Sequence, residues 1–124
     1  MPKLAFADGQ VAATATALAS SFDNSGQRVN ATFCNTGGST ETLVVTLSRQ
    51  GGTSRRVTRA VLQTNESLVV TGLPVSNGDT LYAATSNASA VDYVLYEGGP
   101  DVPLQVVSYD ANGAVKNGGT YAGG

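Results

Sequence analysis

Apolar residues recur at every second position along most of this chain, the period of a half-buried strand, and almost nowhere at the helical period of 3.6 residues. Within RVNATFCN, residues 28–35, Val29, Ala31 and Phe33 fall on one face. Within ETLVVTLSR, residues 41–49, Leu43, Val45 and Leu47 do the same, with Thr42, Thr46 and Ser48 opposite. Both segments are rich in the β-branched residues that suit a pleated surface. RRVTRAVL, residues 55–62, is a weaker pattern that sets Val57 to one side. ESLVVTGL (66–73) places Leu68 and Val70 against Ser67 and Val69, DTLYAATS (79–86) offers Leu81 and Ala83, and AVDYVLYE (90–97) offers Val91, Tyr93 and Leu95.

Breakers separate these runs at Gly37-Gly38, Gly51-Gly52, Thr64-Asn65, Asn77-Gly78 and Asn87. They supply the turn positions that join antiparallel strands. Strands repeating every 10 to 16 residues or roughly so, joined by short turns, predict an antiparallel β-sandwich or jelly roll. VAATATALASSF, residues 11–22, adds a further strand; its alanines also permit a helix, but Thr14, Thr16 and the surrounding β pattern favour the strand. The expectation is an all-β fold of about seven strands.

After Tyr96 the pattern changes. EGGPDVPLQ carries two prolines and a glycine pair, and VVSYDANGAVKNGGTYAGG ends in a glycine-rich tract. The chain therefore divides into a β-sandwich domain over 1–97, including a short N-terminal arm, and a Gly/Pro-rich C-terminal arm over 98–124. Within the arm, Asp110-Ala111-Asn112-Gly113 is a hairpin turn between Val106, Ser108 and Tyr109 on one side and Ala114, Val115 and Lys116 on the other. An arm with so little apolar surface orders only against the domain or a neighbouring subunit.

A length of 124 residues suits one domain with its own core. Charged residues make up only 13%, against roughly 25% in typical soluble domains. A polar but weakly charged surface is best tolerated when partners cover much of it, which favours assembly. The net charge of −2 opposes nucleic acid as a ligand, which needs a basic surface to displace counterions. No apolar run is long enough for a membrane-spanning helix, and MPKLAFADGQ lacks a signal-peptide core, so the expectation is a chain made and folded in a cytoplasm without a membrane partner.

The inventory of reactive side chains is thin. With no histidine there is no Ser-His or Cys-His pair and no histidine zinc site. Cys34 is the sole cysteine, so no intramolecular disulfide forms, and with no histidine to activate it the residue reads as a small apolar core side chain. The nine carboxylates, Asp8, Asp23, Glu41, Glu66, Asp79, Asp92, Glu97, Asp101 and Asp110, are scattered at turns and strand ends, where capping explains them better than a glycosidase pair. No calcium-loop, phosphate-loop or dinucleotide motif is present. No catalytic, cofactor-binding or metal-ligating residue is expected, and no cofactor. The sequons at Asn30, Asn65 and Asn87 follow from the abundance of Asn, Ser and Thr. Carbohydrate platforms have few aromatics to draw on: there is no Trp, and of Tyr82, Tyr93, Tyr96, Tyr109 and Tyr121 the third-last strand claims Tyr93 for the core.

One charge feature stands out. Arg49, Arg55, Arg56 and Arg59 crowd into eleven positions around GGTSRR, in a chain with seven basic residues. They are either a solvated hairpin end or an interface onto an acidic partner surface, for which the arginine fork is well suited.

GGTSRRVTRAVLQTNESLVV, followed by LPVSNGDTLYAATSNASAVDYVLYE, resembles small virion proteins encoded among the structural genes of tailed bacteriophages. The shared language is the Gly-Gly-Thr-Ser-Arg-Arg turn, the Gly-Asp-Thr-Leu approach and the closing Ala-Val-Asp-Tyr-Val strand, and the likeness spans about residues 25–97. It implies a β-sandwich located on the virion, as a capsid decoration or cement protein or as a tail or head-fibre component. The partner it implies is the major capsid protein or another virion protein, and the decoration reading carries the expectation of a homo-oligomer such as a trimer. The alternative is a receptor-binding or carbohydrate-binding module at the tail or head fibre. The glycine-rich tract after Glu97 has no counterpart in this likeness.

Overall fold

The computed structural model describes residues 5–14, 16–20, 27–49, 54–75, 79–87, 90–98 and 104–120. They form ten strands: β1 Ala5–Gln10, β2 Thr16–Ser20, β3 Gln27–Asn35, β4 Glu41–Ser48, β5 Ser54–Leu62, β6 Ser67–Val75, β7 Thr80–Ala84, β8 Val91–Gly98, β9 Gln105–Tyr109 and β10 Val115–Thr120. No helix occurs among the described residues.

The first eight strands pair β1 with β8, β2 with β7, β3 with β6 and β4 with β5, always antiparallel. This is the pairing of one long hairpin whose tip joins β4 to β5. The hairpin is rolled so that β3 also pairs with β8 and β4 with β7. Two sheets result, in the orders β1-β8-β3-β6-β9-β10 and β2-β7-β4-β5. Eight strands in this arrangement are a jelly roll. The β9–β10 hairpin extends the larger sheet beyond β6 through pairs such as Leu68 with Ser108.

The alternation legible in the sequence is the alternation of burial. Val29, Ala31 and Phe33 of β3 meet Leu43, Val45 and Leu47 of β4 in the space between the sheets, with Leu68, Val70, Leu81 and Leu95 completing the centre. Tyr93 packs against this core from the edge. The strand count is ten rather than about seven, and the excess has two causes. β1 has no apolar alternation to reveal it: Asp8, Gly9 and Gln10 are exposed, and the strand is defined by its backbone pairing to β8. Gly9 sits opposite Tyr93 at φ 153°, and a Cβ there would meet the phenol oxygen at 3.3 Å. The C-terminal hairpin supplies β9 and β10, closed by the expected turn: Asp110 Oδ1 accepts the N–H groups of Asn112 and Ala114, and Gly113 takes the positive φ of 86°. Among the described residues of the 11–22 run, Thr16–Ser20 is strand.

Cys34 departs from its expected place. It lies on the outer face of β3, half-exposed, because Phe33 and Asn35 on either side of it take the inner positions.

Polar groups inside the roll hold its connections. Asn35, fully buried, donates from Nδ2 to the carbonyls of Ser39 and Leu62, both at 2.8 Å, while its Oδ1 accepts the Gly37 N–H at 2.9 Å. One side chain thus ties the β3–β4 loop to the end of β5. Glu41, also buried, accepts from the backbone N–H and the side-chain amide of Asn87, each at 2.8 Å, and so fixes the β7–β8 connection. Asn30 Oδ1 accepts the N–H of Gly72, which bulges out of β6 at φ 69°. Two of the three sequon amides therefore serve the fold. Glu66 Oε1 accepts from the Gln63 N–H and, at 2.7 Å, from Lys116 Nζ, which staples β10 to the β5–β6 turn.

Replacing Asn35 by Ala removes three hydrogen bonds and strands the buried Leu62 carbonyl. The expected cost is about 2–4 kcal/mol, measured by urea unfolding. The Glu66 carboxyl is held below its ordinary value of 4.5 first by the hydrogen bond from Lys116 and then by that from the Gln63 N–H. A carboxyl lowered on folding stabilises the folded state fully above its unfolded value and loses that contribution as pH falls through the lowered folded value. Lys116→Met should therefore destabilise the protein near neutral pH and converge with wild type in acid, as followed by thermal melts across a pH series.

Candidate functional site

The tip of the master hairpin carries the arginine cluster. β5 is the last strand of the smaller sheet and, among the described residues, pairs on one side only, with β4. Its register places Arg55 opposite Leu47, Arg56 opposite Thr46 and Arg59 opposite Val44, and Val57 is the extra residue of a bulge between them. Leu47 faces inward and Thr46 and Val44 outward, so Arg55 leans toward the gap between the sheets. Arg56 and Arg59 stand on the outer face with Val61, which is 47% exposed. All three arginines are exposed, and none has an ion-pair partner among the described residues.

Arg49 belongs to a different arrangement. Its Nη1 lies 2.9 Å from Oδ2 of Asp79, whose side chain is 2% exposed, across the entrance to β7. Of the four arginines read as one interface, Arg49 is thus engaged by the fold, while Arg55, Arg56 and Arg59 make no ion pair among the described residues. The turn at residues 50–53 lies outside the described residues.

Beside these side chains the sheets leave a crevice of about 270 Å³. Arg49, Arg55 and Arg56 form its rim, and Leu47, Val57, Leu73, Pro74 and Leu104 its apolar wall. Arg59 lies farther along β5 and does not border it. Leu73, Pro74 and Leu104 come from β6 and the start of β9, so no local pattern around GGTSRR announces the crevice. The nearest signal is Pro74 within an apolar strand run, a residue confined to strand edges and bulges.

The remaining polar groups are arranged otherwise. Glu41, Glu66 and Asp79 are buried and hydrogen-bonded, and Asp110 caps a turn. No group of three His, Cys, Asp or Glu among the described residues is placed to hold a metal ion. A shallow groove of about 660 Å³ crosses the outer face of the larger sheet past Cys34, Ser67, Asp92 and Tyr109. Two of the described tyrosines border it, Tyr93 and Tyr109, from strands three apart, about 14 Å, and Tyr93 also packs against the core. Tyr82 lies on the other sheet, paired with Thr46. Tyr96 is four residues along β8 from Asp92, about 13 Å, and three strands from Tyr109, about 14 Å. Such scattering does not make a stacking platform. Tyr121 lies outside the described residues.

Comparison of the chain with protein-family models, with curated proteins and with solved structures finds no match. The likeness to tailed-phage virion proteins rests on the quoted motifs alone.

The split among the arginines is measurable by chemical unfolding. Arg49→Ala removes the 2.9 Å guanidinium contact from the buried Asp79 and is expected to cost about 1–3 kcal/mol. Arg55→Ala, Arg56→Ala and Arg59→Ala should each stay within about 0.5 kcal/mol of wild type.

Proposed function

We propose that this protein is a non-enzymatic structural component of a tailed-phage virion, a decoration protein that docks on the assembled shell and stabilises it. The observation that carries the reading is the free arginine edge of β5 at the tip of the roll. Arg55, Arg56 and Arg59 have no ion-pair partner there among the described residues, although the chain as a whole is net negative at −2. Unpaired guanidinium groups beside an apolar crevice suit bidentate pairing with carboxylates on a partner. The jelly roll itself does not choose the function, because the same architecture serves viral capsids and lectins. The scattered tyrosines weigh against the glycan-binding alternative, and the quoted motifs favour the virion.

The action is by mass action, without turnover. A protein that binds only the assembled shell stabilises that state by its binding free energy. An increment of about 1–3 kcal/mol per copy, the order of a few interfacial hydrogen bonds or one desolvated charge pair, becomes large over a lattice of equivalent sites. Particles assembled without the protein are expected to rupture at a lower temperature than particles that carry it. The Arg55→Ala/Arg56→Ala double variant should fold normally but occupy the particle below wild-type level, as read by quantitative mass spectrometry of purified particles. Equal rupture temperatures with and without the protein, together with binding of the isolated protein to host-surface glycans, would transfer the function to receptor binding.

A further inference from the structure

The β5 edge is more than a row of charges. Among the described residues it is the longest edge strand, at nine residues, against six in β1, five in β2 and six in β10. An edge strand presents unpaired backbone N–H and C=O groups that can template another strand. Basic side chains and a bulge are also the means by which edges are protected from each other. That protection is selective. Antiparallel pairing of β5 with a second copy in the register that sets Val57 opposite Thr58 would place Arg56 of one chain opposite Arg59 of the other, and like charges directly opposed destabilise a strand pair. The same arginines attract an acidic strand.

We propose that β5 is extended by a strand from a partner protein, an extended acidic segment in which carboxylate and apolar residues alternate. The proposal rests on the reading of the arginine edge as a docking site and names how the partner lies on it. Beyond the bulge, Thr58–Leu62 runs in unbroken register with β4, from Val45 to Glu41, and offers a regular template. Side chains of an added strand point alternately to the two faces of the sheet. Those on the outer face fall beside Arg56, Arg59 and Val61, where glutamate or aspartate pairs with guanidinium. Those on the inner face fall toward Val57 and the crevice, where an apolar side chain contacts Leu73 and Leu104. Backbone bonds supply affinity in this mode, and the alternating pockets supply specificity.

The probe is a synthetic decapeptide alternating glutamate with valine, blocked at both ends and mixed with the full chain. It is expected to bind and to slow hydrogen exchange at the β5 amides, with little change at β1, β2 and β10. A peptide of the same sequence N-methylated at every residue has no backbone donor on either edge, cannot complete the ladder and should bind at least about tenfold more weakly. A lysine-for-glutamate peptide should not bind, and the Arg55→Ala/Arg56→Ala/Arg59→Ala variant, whose fold the unfolding measurements report separately, should lose the glutamate peptide. Absence of binding, equal binding of the N-methylated peptide, or protection confined to another strand overturns strand addition. The decoration reading fails separately. If the protein raises particle rupture temperature while its β5 amides on the particle exchange at the free rate, docking stands and strand addition is wrong. If the peptide protects β5 and particles gain nothing, strand addition stands and the partner is not the shell.

Discussion

Each strand of the roll has to bury one face against the opposite sheet while every backbone group finds a partner, and these two demands together shape the molecule. A strand with alternating apolar residues can satisfy the first demand in only one register, since a slip of one residue turns its whole apolar set to solvent. The nested pairs β1·β8, β2·β7, β3·β6 and β4·β5 satisfy the second, because a hairpin folded on itself leaves few unpaired edges. Five of the pairings contain a register shift, and the bulge at Gly72 shows how one is held, by an asparagine side chain reaching the displaced N–H. Bulges increase local twist and bend the strand that carries them, which helps a flat ribbon to wrap.

The two ends of the roll are built differently. At the end where β3 leaves and β4 begins, Asn35, Glu41, Glu66 and Thr85 are buried and spend their hydrogen bonds on neighbouring loops. Among the described residues no buried side-chain nitrogen or oxygen lacks a partner. A network satisfied in this way rigidifies loops that have little apolar surface of their own. At the hairpin tip Arg49 is tied down by Asp79, and among the described residues the neighbouring guanidinium groups have no ion-pair partner and border an apolar gap. Polar groups that the fold already uses contribute to stability. Groups left free at low cost are the ones available to a partner, and they collect on β5.

This asymmetry gives the proposed role its physical form. A rigid roll that presents a charged edge can dock without reorganising, so little of the binding free energy is lost to ordering. Electrostatic pairing at such an edge selects the partner and its orientation, and it discriminates against self-association through the same strand. The apolar gap beside the arginines adds the desolvated contact that charge pairs at a rim do not provide by themselves.

The sequence by itself determined the class and the core. Period-two burial in 28–35, 41–49, 66–73, 79–86 and 90–97 named the inward residues, because burial on one face of a strand is a local property of side-chain order. The turn at Asp110–Gly113 and the concentration of arginines between 49 and 59 were legible for the same reason. Tertiary structure alone decided the rest. β1 is a strand because β8 offers it a backbone edge, and no side-chain pattern encodes that. Cys34 faces outward because its neighbours Phe33 and Asn35 claim the interior. Arg49 parted from Arg55, Arg56 and Arg59 when the roll brought Asp79, thirty positions away, to its side, and the crevice exists only where β5, β6 and the start of β9 converge. Contacts between distant segments depend on how the hairpin rolls, and local alternation fixes the faces of its strands without fixing that path.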